Sequence, residues 1–214
     1  MARITVIGGT GYGGAAVVRE AAKRGHTVTS ISRTAPAEAV EGVTYVQGSV
    51  LDHDVLSAAV AGADVVFEAV APRGDMTDKV DGLVADLVAL ADQQGVRVGF
   101  LGGVSSMLTS EGGPRLFDLA SPPPEVLPEI EVGLRKLATL KAAPESVDWF
   151  YVSPAAEFGS WLPQRVTGSY RISDDVLLTD DNGTSYIAAP DLALAVLDEI
   201  EHPAHRRARF HVAL

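Results

Sequence analysis

The chain has 214 residues, 47% hydrophobic and 21% charged, and no cysteine. This balance excludes disorder as the main state, and disulfides and thiolate metal sites with it. Lys and Arg total 17 against 28 Asp and Glu, a net charge of −11, and such a field repels phosphate backbones, so no nucleic-acid partner is expected.

No apolar run reaches the roughly 18 residues of a membrane span, and Met1-Ala2-Arg3-Ile4-Thr5 has no signal-peptide pattern. No membrane partner and a cytoplasmic location are therefore expected. His26, His53, His202, His205 and His211 show no metal-ligand spacing, so no metal is expected either.

Arg3 to Ile7 is a β-branched run stopped by Gly8-Gly9, the pattern of a buried strand. Residues 12 to 24 repeat small and apolar side chains at helical spacing up to Gly25. Strands are predicted at 27–32, 43–47, 64–67, 96–101 and 147–152, and helices at 52–61, 75–94 and 125–142, the last with Val126, Ile130, Leu134, Leu137 and Leu140 as its apolar stripe. This alternation predicts βαβ units and a parallel sheet with helices on both faces. Beyond Ser153 short strands are predicted at 170–172, 176–178 and 185–187, with Asp180-Asp181-Asn182-Gly183 as a hairpin turn between the last two. A helix at 190–201 and a strand at 208–212 follow. The whole chain is expected to form one domain, with 153–214 supplying a small substrate-side region.

Gly8-Gly9-Thr10-Gly11-Tyr12-Gly13-Gly14 lies between the first strand and the first helix, and satisfies GxGxxG at Gly9, Gly11 and Gly14. The chemistry needs glycines there. One permits the sharp turn, one lets backbone approach a pyrophosphate, and one lets helix pack against strand. The N–H groups and dipole of the helix then hold the anion. A site for NAD usually carries an acid at the end of the second strand, to accept from the ribose 2′-hydroxyl. Here that strand ends in Ser32-Arg33-Thr34. A guanidinium grips a 2′-phosphate through paired hydrogen bonds, so NADP(H) is favoured over NAD(H), with Ser32 and Thr34 assisting.

Thr10-Gly11-Tyr12-Gly13-Gly14 matches the TGxxG of the atypical branch of the short-chain dehydrogenase/reductase superfamily, which the chain resembles nearly end to end. Gln47 to Asp52 resembles the adenine-placing segment, with Ser49 where relatives commonly have Asp. Asp64-Val65-Val66-Phe67 with Ala69-Val70-Ala71 resembles the fourth strand and its cofactor-lining end. Ser153-Pro154-Ala155, residues 165–171 and residues 191–203 resemble the NADH-flavin reductase group, which is close to NmrA-like proteins. The resemblance implies an α/β fold: a Rossmann-type doubly wound parallel sheet with a small C-terminal cap or pocket wall. It implies cofactor contacts from Gly8, Thr10, Gly11, Tyr12, Gly13, Gly14, Ser32, Arg33, Thr34, Ser49, Val50, Ala69, Val70, Ala71, Ser153 and Pro154.

Most of that superfamily pairs Tyr with Lys four residues on, so that Tyr passes a proton. Residues four beyond Tyr12, Tyr45, Tyr151, Tyr170 and Tyr186 are Ala16, Ser49, Ala155, Asp174 and Pro190, while Lys136 and Lys141 are preceded by Val132 and Leu137. With no such pair, Ser105 and Ser106 remain the catalytic candidates, and Arg73, Phe158 and Trp161 are expected on the substrate side. Two readings follow. One is an NADP(H)-dependent oxidoreductase that passes hydride to a small-molecule acceptor, flavin-like, quinone or otherwise conjugated, whose proton comes from solvent. The other is a non-catalytic NADP-binding redox sensor of NmrA-like type.

Overall fold

The structure, a computed structural model, describes residues 1–214. Eight strands form one sheet in the order β3-β2-β1-β4-β5-β6-β8-β7. They are β1 Arg3–Ile7, β2 Thr27–Ser32, β3 Val43–Gln47, β4 Val65–Glu68, β5 Arg97–Leu101, β6 Trp149–Pro154, β7 Arg171–Ser173 and β8 Ala208–Ala213. All neighbours run parallel except β7, which lies antiparallel on β8.

Parallel strands need crossovers, and helices supply them: α1 Tyr12–Lys23, α2 His53–Val60, α3 Val80–Gln94, α4 Leu116–Leu119, α5 Leu127–Lys141 and α6 Ala189–Glu201. Each sheet face has its own apolar cluster. One includes Val66, Phe100 and Tyr151 with α3 and α5, and the other includes Val6, Phe67 and Phe150 with α1 and α6. The strand order reverses direction at β1 and β4, so a crevice opens beyond their carboxyl ends, where such folds bind ligands. No helix is long and apolar enough to cross a membrane.

The structure departs from the sequence-based expectations at three places. Residues 74–79 are not helical continuations of α3; a 3₁₀ turn covers Gly74–Met76 and α3 begins at Val80. Leu116–Leu119 forms a short helix that periodicity did not predict. The segments at 176–178 and 185–187 are not strands, and the hairpin expected between them is absent. The turn does form: Asp180's carboxylate accepts from the N–H groups of Asn182 and Thr184, and Gly183 sits at φ +80°. The flanking backbone is claimed elsewhere. Leu108 exchanges bonds with Asp175 and Leu177, and Glu157 does so with Ser185 and Ile187.

Candidate functional site

The crevice is a cleft of about 710 Å³, within the range of small-molecule sites. Its base is the glycine loop. Gly8 has φ +78°, and a Cβ there would lie 2.9 Å from the Ala69 carbonyl oxygen, so the turn and its contact with the β4 end both require glycine. Gly14 does not line the cleft. A side chain there would overlap the Gly8 carbonyl, so this glycine lets α1 pack on the β1 end.

Gly11 is different. It faces the cleft, and a Cβ would meet only the Gly8 carbonyl oxygen, at 3.3 Å. Gly11 is also the N-cap of α1, with no side chain bonded to the first N–H groups and no acid in the first turn. Helix geometry leaves those donors without carbonyls. This cradle of free N–H groups, open where a Cβ would stand, fits a dinucleotide pyrophosphate.

The loop is tied to the end of β2 by the Thr10 N–H, which donates to Ser32 Oγ at 3.2 Å. Ser32, Arg33 and Thr34 line one end of the cleft with Ser49 and Val50. The Gln47 side-chain amide donates to the Arg33 carbonyl at 3.0 Å, and the half-exposed Arg33 guanidinium pairs with Asp75. That guanidinium holds the Asp75 carboxyl below the usual carboxylate range.

The floor comes from the carboxyl ends of β4, β5 and β6. Ala69, Val70 and Ala71 line it, and the Val70 N–H donates to Glu68 Oε1 at 2.8 Å. The other oxygen of Glu68 accepts from Lys136 Nζ at 2.5 Å, and this lysine, on α5, lines the cleft. Both side chains are buried. Lys136 also donates to the Leu101 carbonyl at 3.2 Å. Tyr151 reaches the same wall from β6. Its hydroxyl accepts from the Gly103 N–H at 3.0 Å and donates to the Gly133 carbonyl at 3.2 Å, and burial pushes its pKa up to about 12. Glu68, Lys136 and Tyr151 were not singled out from sequence as site residues. The available signal was a glutamate closing the otherwise apolar run of β4, because a buried carboxylate needs a partner.

Ser105 and Ser106 line the cleft, but Ser106 Oγ accepts from Arg209 Nη1 at 2.7 Å. Pro154 also lines it. Ser153, expected among the cofactor contacts, is not among the residues that line the cleft; it is fully buried and its Oγ has no partner.

At the mouth, Arg73 pairs with Glu129 through two nitrogens, at 2.6 and 2.9 Å, and its guanidinium lies 5.4 Å from the centroid of Trp161. Trp161 is 66% exposed. Phe158 is half-buried, with its ring 5.0 Å from that of Tyr12. Tyr12 lines the cleft, but its hydroxyl is taken by Gln164 at 2.5 Å and by the Ala189 N–H at 3.2 Å. Thr10, Gly13, Phe158, Arg73 and Trp161 all border the same space.

Residues 8–203 match the model of an NAD(P)H-binding family. YwnB of Bacillus subtilis, a protein of uncharacterised function, is 34% identical over 212 residues, covering 98% of this chain and 97% of that one. A candidate NADH-flavin reductase from Streptococcus pneumoniae superposes with a TM-score of 0.84 at 27% identity, over 100% of this chain and 99% of that one. A candidate epimerase from Bacteroides thetaiotaomicron does so at 0.86 and 30%, over 99% and 96%.

Proposed function

Because the chain belongs to this NAD(P)H-binding family, in the atypical short-chain dehydrogenase/reductase-like group, we propose that it is an NADP(H)-dependent oxidoreductase acting on a flavin-like, quinone or other conjugated small molecule. The observation that carries the cofactor choice is Arg33, standing at the end of β2 where an NAD site has its acid, on the rim of an open N–H cradle. Its forked guanidinium suits a 2′-phosphate. The bound cofactor would supply hydride.

The chain's own contribution is position and exclusion of water. Gly8, Gly11 and the start of α1 take the pyrophosphate. Ala69 to Ala71 present a smooth wall, and the Glu68 carboxylate holds the Val70 N–H in place. Phe158 and Trp161 offer flat apolar surface to a planar acceptor, with Arg73 at its edge. Both tyrosines that line the cleft have engaged hydroxyls, which supports a reaction without a tyrosine acid. Tyr151 is bonded on both sides of its hydroxyl, and Tyr12 is engaged with the C-terminal segment. A conjugated acceptor suits this site, because solvent can complete its reduction.

One relative's name agrees with this reading, that of the candidate NADH-flavin reductase. The test is NADPH oxidation, followed by absorbance, against a panel of flavins, quinones and enones. Turnover of at least one class is expected. Tight NADPH binding with no acceptor reduced would replace the proposal with a redox-sensing module.

A further inference from the structure

The end of β2 has no acid, yet an acid reaches it from elsewhere. Asp75 lies 42 positions beyond Arg33 and forms an ion pair with it. The carboxylate is not on a loose loop. The 3₁₀ turn Gly74–Met76 buries Met76 against the cleft, and Thr77 Oγ1 donates to the carbonyls of Gly74 at 3.0 Å and Pro72 at 3.2 Å. On the other side Gln47 fixes the Arg33 backbone. Two anchored segments therefore meet through one guanidinium and one carboxylate at the rim where the adenosine ribose would lie.

We infer that Asp75 is a second determinant of cofactor choice, competing with a 2′-phosphate for Arg33. This rests on the proposed reading of Arg33. The chemistry separates the two cofactors. A 2′-phosphate carries close to two negative charges near pH 7; it has to displace the carboxylate from the guanidinium, and it has little proton left to offer the carboxylate. A 2′-hydroxyl has a proton to donate to Asp75 and leaves the ion pair standing. Asp75 thus holds down the preference for NADP(H) and keeps NAD(H) admissible. The Asp75 carboxyl stays ionised at neutral pH beside this arginine, with Lys79 adding to the effect, so the competition is present under ordinary conditions.

The pair is exposed, with 53% and 59% of the two side chains accessible, so its effect is modest, about two- to fivefold in affinity, as for exposed ion pairs. The experiment is equilibrium titration of NADPH and NADH into wild type, Asp75→Ala, Arg33→Ala and the double variant, at low and high salt. Asp75→Ala is expected to tighten NADPH about two- to fivefold without tightening NADH. The gain shrinks at high salt and falls below about twofold in the Arg33→Ala background. If Arg33→Ala weakens NADPH selectively but Asp75→Ala leaves the NADPH-to-NADH ratio unchanged, the inference fails and the reading of Arg33 stands. If Arg33→Ala weakens both cofactors equally, that reading fails and takes the inference with it. Asp75 is exposed and its removal leaves no buried group unpaired; unchanged melting temperatures in the single variant check this.

Discussion

Gly11 and Gly14 stand three residues apart in one motif, and their substitution by valine should fail in opposite ways. At Gly11 the backbone is extended, with φ −77° and ψ 170°, a conformation that any residue adopts. A Cβ would meet only the Gly8 carbonyl oxygen at 3.3 Å, which asks that neighbour to give by a few tenths of an ångström. The folded protein should lose less than about 1 kcal/mol. The valine would project into the cradle, however, and push an anion off the first N–H groups of α1. Two charge-assisted hydrogen bonds at about 1.5–3 kcal/mol each give about 3–6 kcal/mol, or roughly 10²–10⁴-fold in affinity.

At Gly14 the Cβ would overlap the Gly8 carbonyl oxygen and lie 2.9 Å from its carbon. Both are backbone atoms, so the cost falls on the fold, at about 1–3 kcal/mol or more. Thermal denaturation with and without NADPH, and direct titration, separate the two variants. A well-folded Gly11→Val protein with wild-type NADPH affinity would refute the reasoning, as would a Gly14→Val protein of unchanged stability.

Three further outcomes are expected. Trp161→Ala should raise the acceptor KM or lower turnover while the NADPH dissociation constant stays within about twofold, because the exposed ring lies at the mouth; steady-state kinetics beside titration decide this. Tyr151→Phe removes the acceptor of the part-buried Gly103 N–H and should destabilise by about 0.5–1.5 kcal/mol in a denaturant melt, with turnover falling less than the roughly 10²–10⁴-fold of a lost general acid; a larger fall would make this tyrosine the proton donor. His211 is buried, and burial followed by the nearby Arg209 charge holds its pKa below the ordinary value, against the pull of its bond to the Ser153 carbonyl. Its contribution to stability is therefore complete above the unfolded histidine pKa of about 6.5 and is lost as pH falls from there through the folded value. Melts from pH 7.5 to 5 should show a slope that His211→Gln flattens.

The alternation of strand and helix up to β6 was legible because buried parallel strands are short apolar runs and their crossovers carry a helical stripe. The glycine loop was legible because Gly11 and Gly14 answer to the Gly8 backbone within the same turn, whereas the contact of Gly8 with Ala69 comes from a distant strand end. Partners supplied from a distance were not. Asp75 reaches Arg33 across 42 residues, and Glu68 meets Lys136 across 68; neither pairing leaves a periodic trace. Lys136 was weighed only against the residue four positions earlier, whereas the tyrosine on its wall comes from β6. Ser153 is fully buried one position before Pro154, which does line the cleft, and likeness to a motif does not resolve a single step along a strand end. The turn at 180–183 obeyed its local chemistry, but Leu108 and Glu157 held the backbone that a hairpin needs.

The claim that this cleft is a nicotinamide cofactor site with Arg33 reading a 2′-phosphate is tested most directly by calorimetric titration of the wild-type protein with NADPH and with NADH. One site per chain is predicted, with NADPH the tighter ligand by about tenfold or more, as one charge-assisted contact provides. Equal affinities, or binding of NADH alone, would contradict it.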